Sequence, residues 1–108
     1  VLGLTFKENC PDVRNTKVVD IVRALVQYNA EVDVYDPWVD LQDAEHEYGL
    51  KCLAELPQRS QYAAVILAVA HREFVDMGEQ GVRSLGVPGA VVFDVKSLLP
   101  AGAADGRL

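Results

Sequence analysis

The sequence predicts an α/β fold with a doubly wound, mostly parallel sheet, and three observations support this class. Apolar, strand-like segments begin near residues 1, 31, 62 and 90. Their spacing of about 30 residues matches the length of a strand, a crossover helix and the next strand. The segment Tyr62–Ala70 shows no polar alternation, as expected of a central parallel strand covered on both faces. With 108 residues and 50% hydrophobic content, the chain can build one core.

The first predicted elements are a strand at Val1–Leu4, a polar loop and a helix. The helix is expected over Thr16–Tyr28, because apolar residues recur there at spacings of three and four, with Lys17 among the polar residues of the opposite, outer face. Asn15 or Thr16 can accept the first free amide hydrogens of this helix. Asn29 can adopt the left-handed conformation that ends it.

The middle of the chain predicts shorter elements. Glu31–Tyr35 alternates polar and apolar residues, which indicates a strand, and Pro37 ends it because proline cannot extend the hydrogen-bond ladder. A short surface helix is expected over Asp40–Gly49. It is followed by a short edge strand at Leu50–Leu53 and a helical turn at Ala54–Leu56.

The C-terminal half predicts two short helices and one more strand. The helices are expected at His71–Met77 and Glu79–Leu85, before a turn at Gly86–Gly89. A last buried strand is predicted at Ala90–Asp94. The tail from Pro100 is small and polar, so we expect it to be loosely ordered.

These elements predict a Rossmann-like sheet of about five strands in a three-layer αβα arrangement. Right-handed crossovers give an order from the edge strand at Leu50–Leu53 through Glu31–Tyr35, Val1–Leu4 and Tyr62–Val69 to Ala90–Phe93. Loops at the carboxyl ends of such strands form the ligand crevice. We therefore expect a binding domain at residues 1–100, followed by a polar tail at 101–108.

Composition excludes several classes of function. The net charge of −6 and the pI near 4.7 argue against nucleic acid or an anionic membrane surface as partners. The two cysteines, Cys10 and Cys52, form neither a disulfide framework nor a metal-ligand pattern. The longest apolar run, Ala63–Ala70, is far shorter than a membrane helix, and a cytoplasmic protein is expected. The chain begins at Val1, inside a predicted strand, which suggests a piece of a larger protein.

The charged loop after the first strand is the main candidate for function. Lys7 and Arg14 can reach a ligand from this loop, which has no glycine fingerprint for binding a dinucleotide. The alternative is a solvated loop in which Lys7 pairs with Glu8, or Arg14 with Asp12. Both readings stay open at this point.

Four other residues have a functional and a structural interpretation. Asp36 could bind a ribose hydroxyl, but Asp-Pro is more often a turn. His71 could be a general base, although a polar helix start beside the crevice is the simpler interpretation. Cys10 could act as a nucleophile, but the sequence shows no evident base partner for it. Lys96 directly follows a buried strand, where a lone lysine is as often solvent-facing as functional, but its position at the crevice favours a role in binding.

The sequence resembles the carboxyl-terminal, UDP-binding domain of the UDP-glucose/GDP-mannose dehydrogenase family. The residues that carry the resemblance are Gly3–Thr16, Val34–Trp38, Leu67–Phe74 and Phe93–Lys96, in the family's order. Within the family, the chain is most similar to the UDP-N-acetylhexosamine 6-dehydrogenases of bacterial polysaccharide synthesis, including the Vi-antigen type.

The resemblance implies an NAD-dependent oxidation of the C6 alcohol of a UDP-sugar to a carboxylate. In the family, the catalytic cysteine and the NAD-binding glycines lie upstream, in an N-terminal NAD-binding domain, which a central helical domain follows. This chain would then carry no catalytic residue and be inactive alone, while the full-length enzyme would be a homo-oligomer. A stand-alone nucleotide-binding or oligomerisation module without catalysis is the alternative.

The resemblance also implies roles for individual residues. Phe6 and Lys7 match positions that hold the UDP portion of the substrate, and Lys96 matches a basic segment near the UDP. Arg14 matches a residue that reaches across to NAD. Ser97 stands where relatives often carry a second cation, so that contact is expected to be missing here.

Overall fold

The computed structural model describes residues 1–107 and confirms the predicted α/β class. Its elements in chain order are α1 (Val18–Gln27), α2 (Leu41–Tyr48), β1 (Tyr62–Leu67), α3 (Arg72–Arg83), β2 (Gly86–Asp94) and β3 (Gly106–Arg107). The sheet has the order β1-β2-β3, and both strand pairs are parallel. Within the described residues there are three regular strands, so the prediction of about five is wrong.

Three further segments join the sheet through isolated parallel bridges. Leu2 bridges both Leu67 and Tyr35, and Tyr35 bridges Leu53. Neighbours therefore follow the predicted order, although regular pairing does not extend. The reason is local: Gly3 has a φ of 100°, outside the strand region. The next two N–H groups bond a side-chain carboxylate and not a neighbouring strand.

The first two helices lie close to their predicted bounds. The helix α1 begins two residues after the predicted Thr16, whose Oγ1 accepts from the N–H of Val18 at 3.2 Å. Asn29 follows this helix with a φ of 66°, as expected. In α2, the N-cap Asp40 accepts two backbone N–H groups and Gly49 ends the helix in the left-handed conformation.

The third helix keeps the predicted division into two pieces. Gly78 has a φ of 67° and breaks the helical path inside α3. Two nearby predictions are wrong. Ala54–Leu56 forms no helical turn. Residues 86–89 belong to β2, where the register with β1 shifts between Tyr62 and Ala64.

The C-terminal residues are packed more closely than their composition suggested. Ala103 is buried, and β3 pairs with β2. The carboxylate of Asp105 accepts the N–H of Val92 at 2.8 Å and contacts the Arg83 guanidinium at 3.3 Å. Because these contacts come from distant residues, local composition could not predict them, and the expectation of a loosely ordered tail is wrong for residues 103–107.

Two hydrophobic clusters divide the helices as a three-layer arrangement requires. One cluster contains side chains of α3, and the other contains side chains of α1 and α2. The first includes Leu2, Val65, Leu67, Phe74, Val82 and Val92. The second includes Leu4, Val18, Val22, Val34, Ala44, Ala68 and Val69. Two separate hydrophobic clusters thus pack the helices against the sheet, one with α3 and the other with α1 and α2.

None of the helices within residues 1–107 is long and apolar enough to cross a membrane. In the same part of the chain, no group of three histidine, cysteine, aspartate or glutamate side chains is placed to hold a metal ion.

The close approach of Gly3 to Val69 leads to a stability prediction. A Cβ on Gly3 would lie 2.8 Å from the backbone nitrogen of Val69, at a φ of 100°. We expect Gly3→Ala to lower the free energy of unfolding by about 3 kcal/mol or more, from strain and overlap together. Urea denaturation measures this change.

Gly89→Ala is the matched control. Gly89 has a φ of 83°, but its Cβ would meet nothing within 4 Å. Only the backbone strain of about 1 kcal/mol should appear there. Equal losses in the two variants would show that the contact with Val69 is unimportant.

Candidate functional site

A crevice lies where the first strand segment and the central strands end. It contains about 560 Å³ of empty space, partly open to solvent. Its lining residues come from the first loop (residues 5–15), the start of α1 and the segments after β1 and β2. They are Thr5, Phe6, Asn15, Thr16, Lys17, Val18, Ile21, Ala68, Val69, Val95 and Lys96. This is the position at which parallel α/β sheets bind their ligands.

The buried carboxylate of Asp36 holds the crevice's first wall in place. Its Oδ2 accepts the N–H of Leu4 at 2.7 Å and of Thr5 at 3.0 Å, and lies 2.9 Å from Nε2 of His71. Its Oδ1 accepts the N–H of Trp38 at 2.7 Å. Asp36 therefore forms a turn, as the Asp-Pro sequence suggested, and also joins two strand ends. With four donors around it, the carboxylate is not available to a ribose.

The hydrogen bonds of His71 define its protonation state. Nδ1 accepts the backbone N–H of Asn9 at 2.8 Å, so this nitrogen carries no proton. The ring is then neutral, and Nε2 carries the hydrogen that points to Asp36 and to Thr5 Oγ1, which is 3.0 Å away. Both nitrogens are engaged, and the side chain is fully buried. His71 is thus placed as a structural group and not as a free base.

Burial and hydrogen bonding act in opposite directions on Asp36. Burial by itself raises the pKa of this carboxyl group. The hydrogen bonds from His71 and from three backbone N–H groups outweigh burial and hold the pKa below its ordinary value. Asp36 is therefore a buried carboxylate that remains charged.

The first loop is closed on itself and tied to its neighbours. The N–H of Phe6 donates to the carbonyl of Asp12 at 2.7 Å, and the hydroxyl of Tyr48 donates to the carbonyl of Val13 at 2.6 Å. Asn9 has a φ of 55°, a conformation that asparagine tolerates better than most residues. Because it is held by a bond across the loop and by a bond from α2, the loop presents its side chains in a defined way.

The structure brings together only some of the residues singled out in the sequence. Phe6 and Lys96 line the same crevice, and the side chain of Phe6 is exposed, as a ligand contact requires. Lys7 and Arg14 do not line it. Arg14 forms the pair with Asp12 that was the structural alternative, at 3.1 and 3.2 Å. Hydrogen bonds from Arg14 lower the pKa of Asp12, and the charge of Lys7 adds to this effect.

The cations Lys7, Arg14, Arg72 and Lys96 do not all converge on the crevice, which only Lys96 among them lines. The guanidinium of Arg72 lies 4.9 Å from the ring centroid of Trp38, in a cation–π contact. Lys96 remains at the crevice because β2 ends at Asp94, whose Oδ2 accepts the N–H of Leu99 at 2.7 Å and closes the turn. Ser97 completes this turn with a φ of 54°.

Several crevice residues were not identified from the sequence. Asn15 and Thr16 were interpreted as helix caps, and Lys17 as part of the outer face of the helix. All three line the crevice. A signal was present, because residues that begin a helix after a strand's carboxyl end face the ligand in this class of fold.

Neither cysteine is placed as an activated nucleophile. Burial raises the pKa of the Cys52 thiol to about 11, and the charge of Asp36 adds to the shift, so the reactive thiolate is disfavoured. Cys10 is partly buried beside Asn9, and both nitrogens of His71 are already engaged nearby.

The fold and crevice are those of a ligand-binding α/β domain, and sequence comparison gives the family. Residues 1–101 match the UDP binding domain of the UDP-glucose/GDP-mannose dehydrogenase family. The chain belongs to this family, as its resemblance implied.

Individual relatives agree with this assignment. The chain is 55% identical to UDP-N-acetyl-D-glucosamine 6-dehydrogenase of Pseudomonas aeruginosa and 45% identical to that of Salmonella typhi. Both alignments cover 100% of this chain and 25% of the relative. Protein CapL of Staphylococcus aureus is 37% identical, over 92% of this chain and 23% of its own length. The chain thus spans about a quarter of the length of these relatives.

The lowered pKa of Asp36 leads to a pH-dependent prediction. A carboxyl group whose pKa is lowered on folding adds stability above its ordinary pKa of 3.8, and this stability is lost as the pH falls below that value. Asp36→Asn should therefore lower the free energy of unfolding by about 2 to 4 kcal/mol at pH 7. The loss should shrink in acid, which denaturation curves from pH 7 to pH 2.5 would measure.

Asp12→Asn is the control for this experiment. The pKa of Asp12 is also lowered, but through an exposed pair with Arg14. This variant should unfold almost like the parent protein. If Asp36→Asn behaved like Asp12→Asn, Asp36 would not hold the strand ends together.

Proposed function

We propose that this chain binds the UDP portion of a UDP-sugar within an NAD-dependent UDP-sugar 6-dehydrogenase. The proposed substrate is a UDP-N-acetylhexosamine, with UDP-N-acetyl-D-glucosamine as the first compound to test. The observation that carries the proposal is the match of the whole chain to two enzymes that are named for this substrate. The crevice provides a physical reason to expect nucleotide binding.

The lining of the crevice suits a nucleoside diphosphate. Phe6 offers an exposed aromatic face to a base, and Ile21, Ala68 and Val69 provide an apolar wall. Lys96 and Lys17 add two cations to a chain whose net charge is −6. A diphosphate would meet local positive charge there, although the average field of the chain repels anions.

Lys7 is proposed as a further ligand of the UDP portion, from its place in the family pattern. Its side chain is exposed, and it directly follows Phe6, which lines the crevice. Arg14, at the far end of the loop, is proposed to contact NAD held by another part of the full-length protein. Its pairing with Asp12 leaves most of its side chain exposed.

Residues 1–107, the part that the structure describes, offer no built NAD site of their own. The single glycine near the first helix, Gly3, packs against Val69 and leaves no glycine turn for a pyrophosphate. The carboxylate of Asp36 is already saturated with donors. We therefore propose that other parts of the full-length enzyme bind most of the NAD and carry the catalytic cysteine. We also propose that the full-length enzyme is a cytoplasmic homo-oligomer.

Lys96→Ala tests the assignment of the crevice. Loss of a charge-assisted hydrogen bond of about 1.5 to 3 kcal/mol should weaken UDP binding by about tenfold to a hundredfold. Titration calorimetry at low and moderate salt would measure the affinity. Lys51→Ala is the matched control, because Lys51 is exposed and does not line the crevice. Similar losses in both variants would indicate a general charge effect.

A second comparison separates the two cations of the first loop in the full-length protein. Lys7→Ala should raise the KM for the UDP-sugar by about tenfold or more and leave the KM for NAD nearly unchanged. Arg14→Ala should weaken NAD and leave inhibition by UDP near normal. Steady-state titrations against both ligands decide the matter, and equal losses for both ligands in both variants would mean that the loop unfolds.

A further inference from the structure

We infer that His71 is a positioning residue for the proposed UDP site, and the inference rests on that proposed function. Its neutral ring contacts Thr5 and Asn9, the residues on either side of one short segment, Phe6–Glu8. This segment carries Phe6 and Lys7, two of the residues proposed to bind UDP. His71 itself is fully buried and does not line the crevice, so it acts through the loop.

The two nitrogens of the ring contact residues on either side of this segment. Nε2 lies 3.0 Å from the hydroxyl of Thr5, and Nδ1 accepts the N–H of Asn9 at 2.8 Å. Only residues 6–8 lie between these two contacts. The hydroxyl of Thr5 also donates to the carbonyl of Lys7 at 3.1 Å, which restricts the segment from inside.

Asn9 also bonds α3, the helix whose N-cap is His71. His71 is the N-cap of α3, but its side chain makes no capping hydrogen bond to that helix. The side-chain oxygen of Asn9 accepts the N–H of Arg72 at 2.9 Å and supplies a cap from the loop. The backbone of Asn9 bonds the His71 ring while its side chain bonds the next residue. The loop and α3 are therefore joined by two reciprocal bonds.

The ring that makes these bonds is fixed in its orientation. Trp38 stacks on it with ring centroids 6.2 Å apart, and Phe74 lies 5.7 Å away on a tilted plane. The bond from Nε2 to the carboxylate of Asp36 fixes the ring orientation that leaves Nδ1 to accept the N–H of Asn9. Because the ring is packed on its faces and bonded at both nitrogens, it holds the loop in a fixed position relative to the sheet.

The inference can be tested with two substitutions at the same position. His71→Phe keeps the aromatic packing but removes both hydrogen-bonding nitrogens, and His71→Gln keeps one donor and one acceptor. We expect His71→Phe to weaken UDP binding by about tenfold and His71→Gln to recover most of that loss. His46→Phe is the matched control, because His46 is exposed on α2 and should bind UDP like the parent protein.

Two measurements without ligand decide whether the loop itself is held. Nitrogen-15 spectra of the parent protein should show His71 protonated at Nε2 and unprotonated at Nδ1. Hydrogen exchange at the Asn9 amide should be slow in the parent protein and at least about tenfold faster in His71→Phe. A second variant, Asn9→Gly, tolerates the positive φ, removes the side-chain cap of α3 and keeps the backbone N–H that bonds His71, while it gives the loop backbone more freedom. It should also speed exchange across residues 6–9.

The outcomes separate this inference from the proposed function. If the parent protein does not bind UDP, the proposed function fails, and the ring tautomer and the exchange of Asn9 then decide the positioning role alone. If His71→Phe is folded and binds UDP like the parent protein, the inference is overturned. A ring protonated at Nδ1 would overturn it as well, even if His71→Phe cannot be obtained folded.

Discussion

The rest of this structure depends on one buried carboxylate. Asp36 accepts hydrogen bonds from the backbone of Leu4, Thr5 and Trp38 and from His71. Without these donors, a buried charge would be costly. With these donors, the carboxylate ends the first strand segment and turns the chain after Tyr35. It also fixes the ring of His71, the N-cap of α3. Of these segments, the first strand segment leads directly into the crevice, which Thr5 and Phe6 line.

The buried contacts at the end of the first strand segment also determine where the binding loop begins. Gly3 allows the chain to pass close to Val69, and the next two residues then turn toward Asp36. This turn ends regular pairing, which explains why the sheet has bridges where longer strands were expected. It also starts the loop whose side chain at Phe6 lines the crevice. The loss of strand regularity and the formation of a binding loop are consequences of the same bonds.

The positions of the lysines and arginines relative to the crevice could be found only from the structure. Lys96 lies at the crevice because Asp94 closes the turn after β2. Arg14 lies outside the crevice, where it pairs with Asp12. Lys17 enters the crevice although it was interpreted as part of a solvent-facing helix surface. A charge count along the sequence could not separate these cases, because each depends on the path of the backbone.

The sequence by itself determined the class of fold, the order of neighbouring segments and the family. These follow from local periodicity, from the apolar run at Tyr62–Ala70 and from the Gly3–Thr16 segment, all of which are readable without distant contacts. Only the tertiary structure decided the roles of Asp36, His71 and Asp105. Each is a polar residue whose partners lie on other segments, and Asp105 orders a tail that composition predicted to be loose. Polar side chains such as these have several acceptable partners along the chain, and burial in three dimensions selects among them.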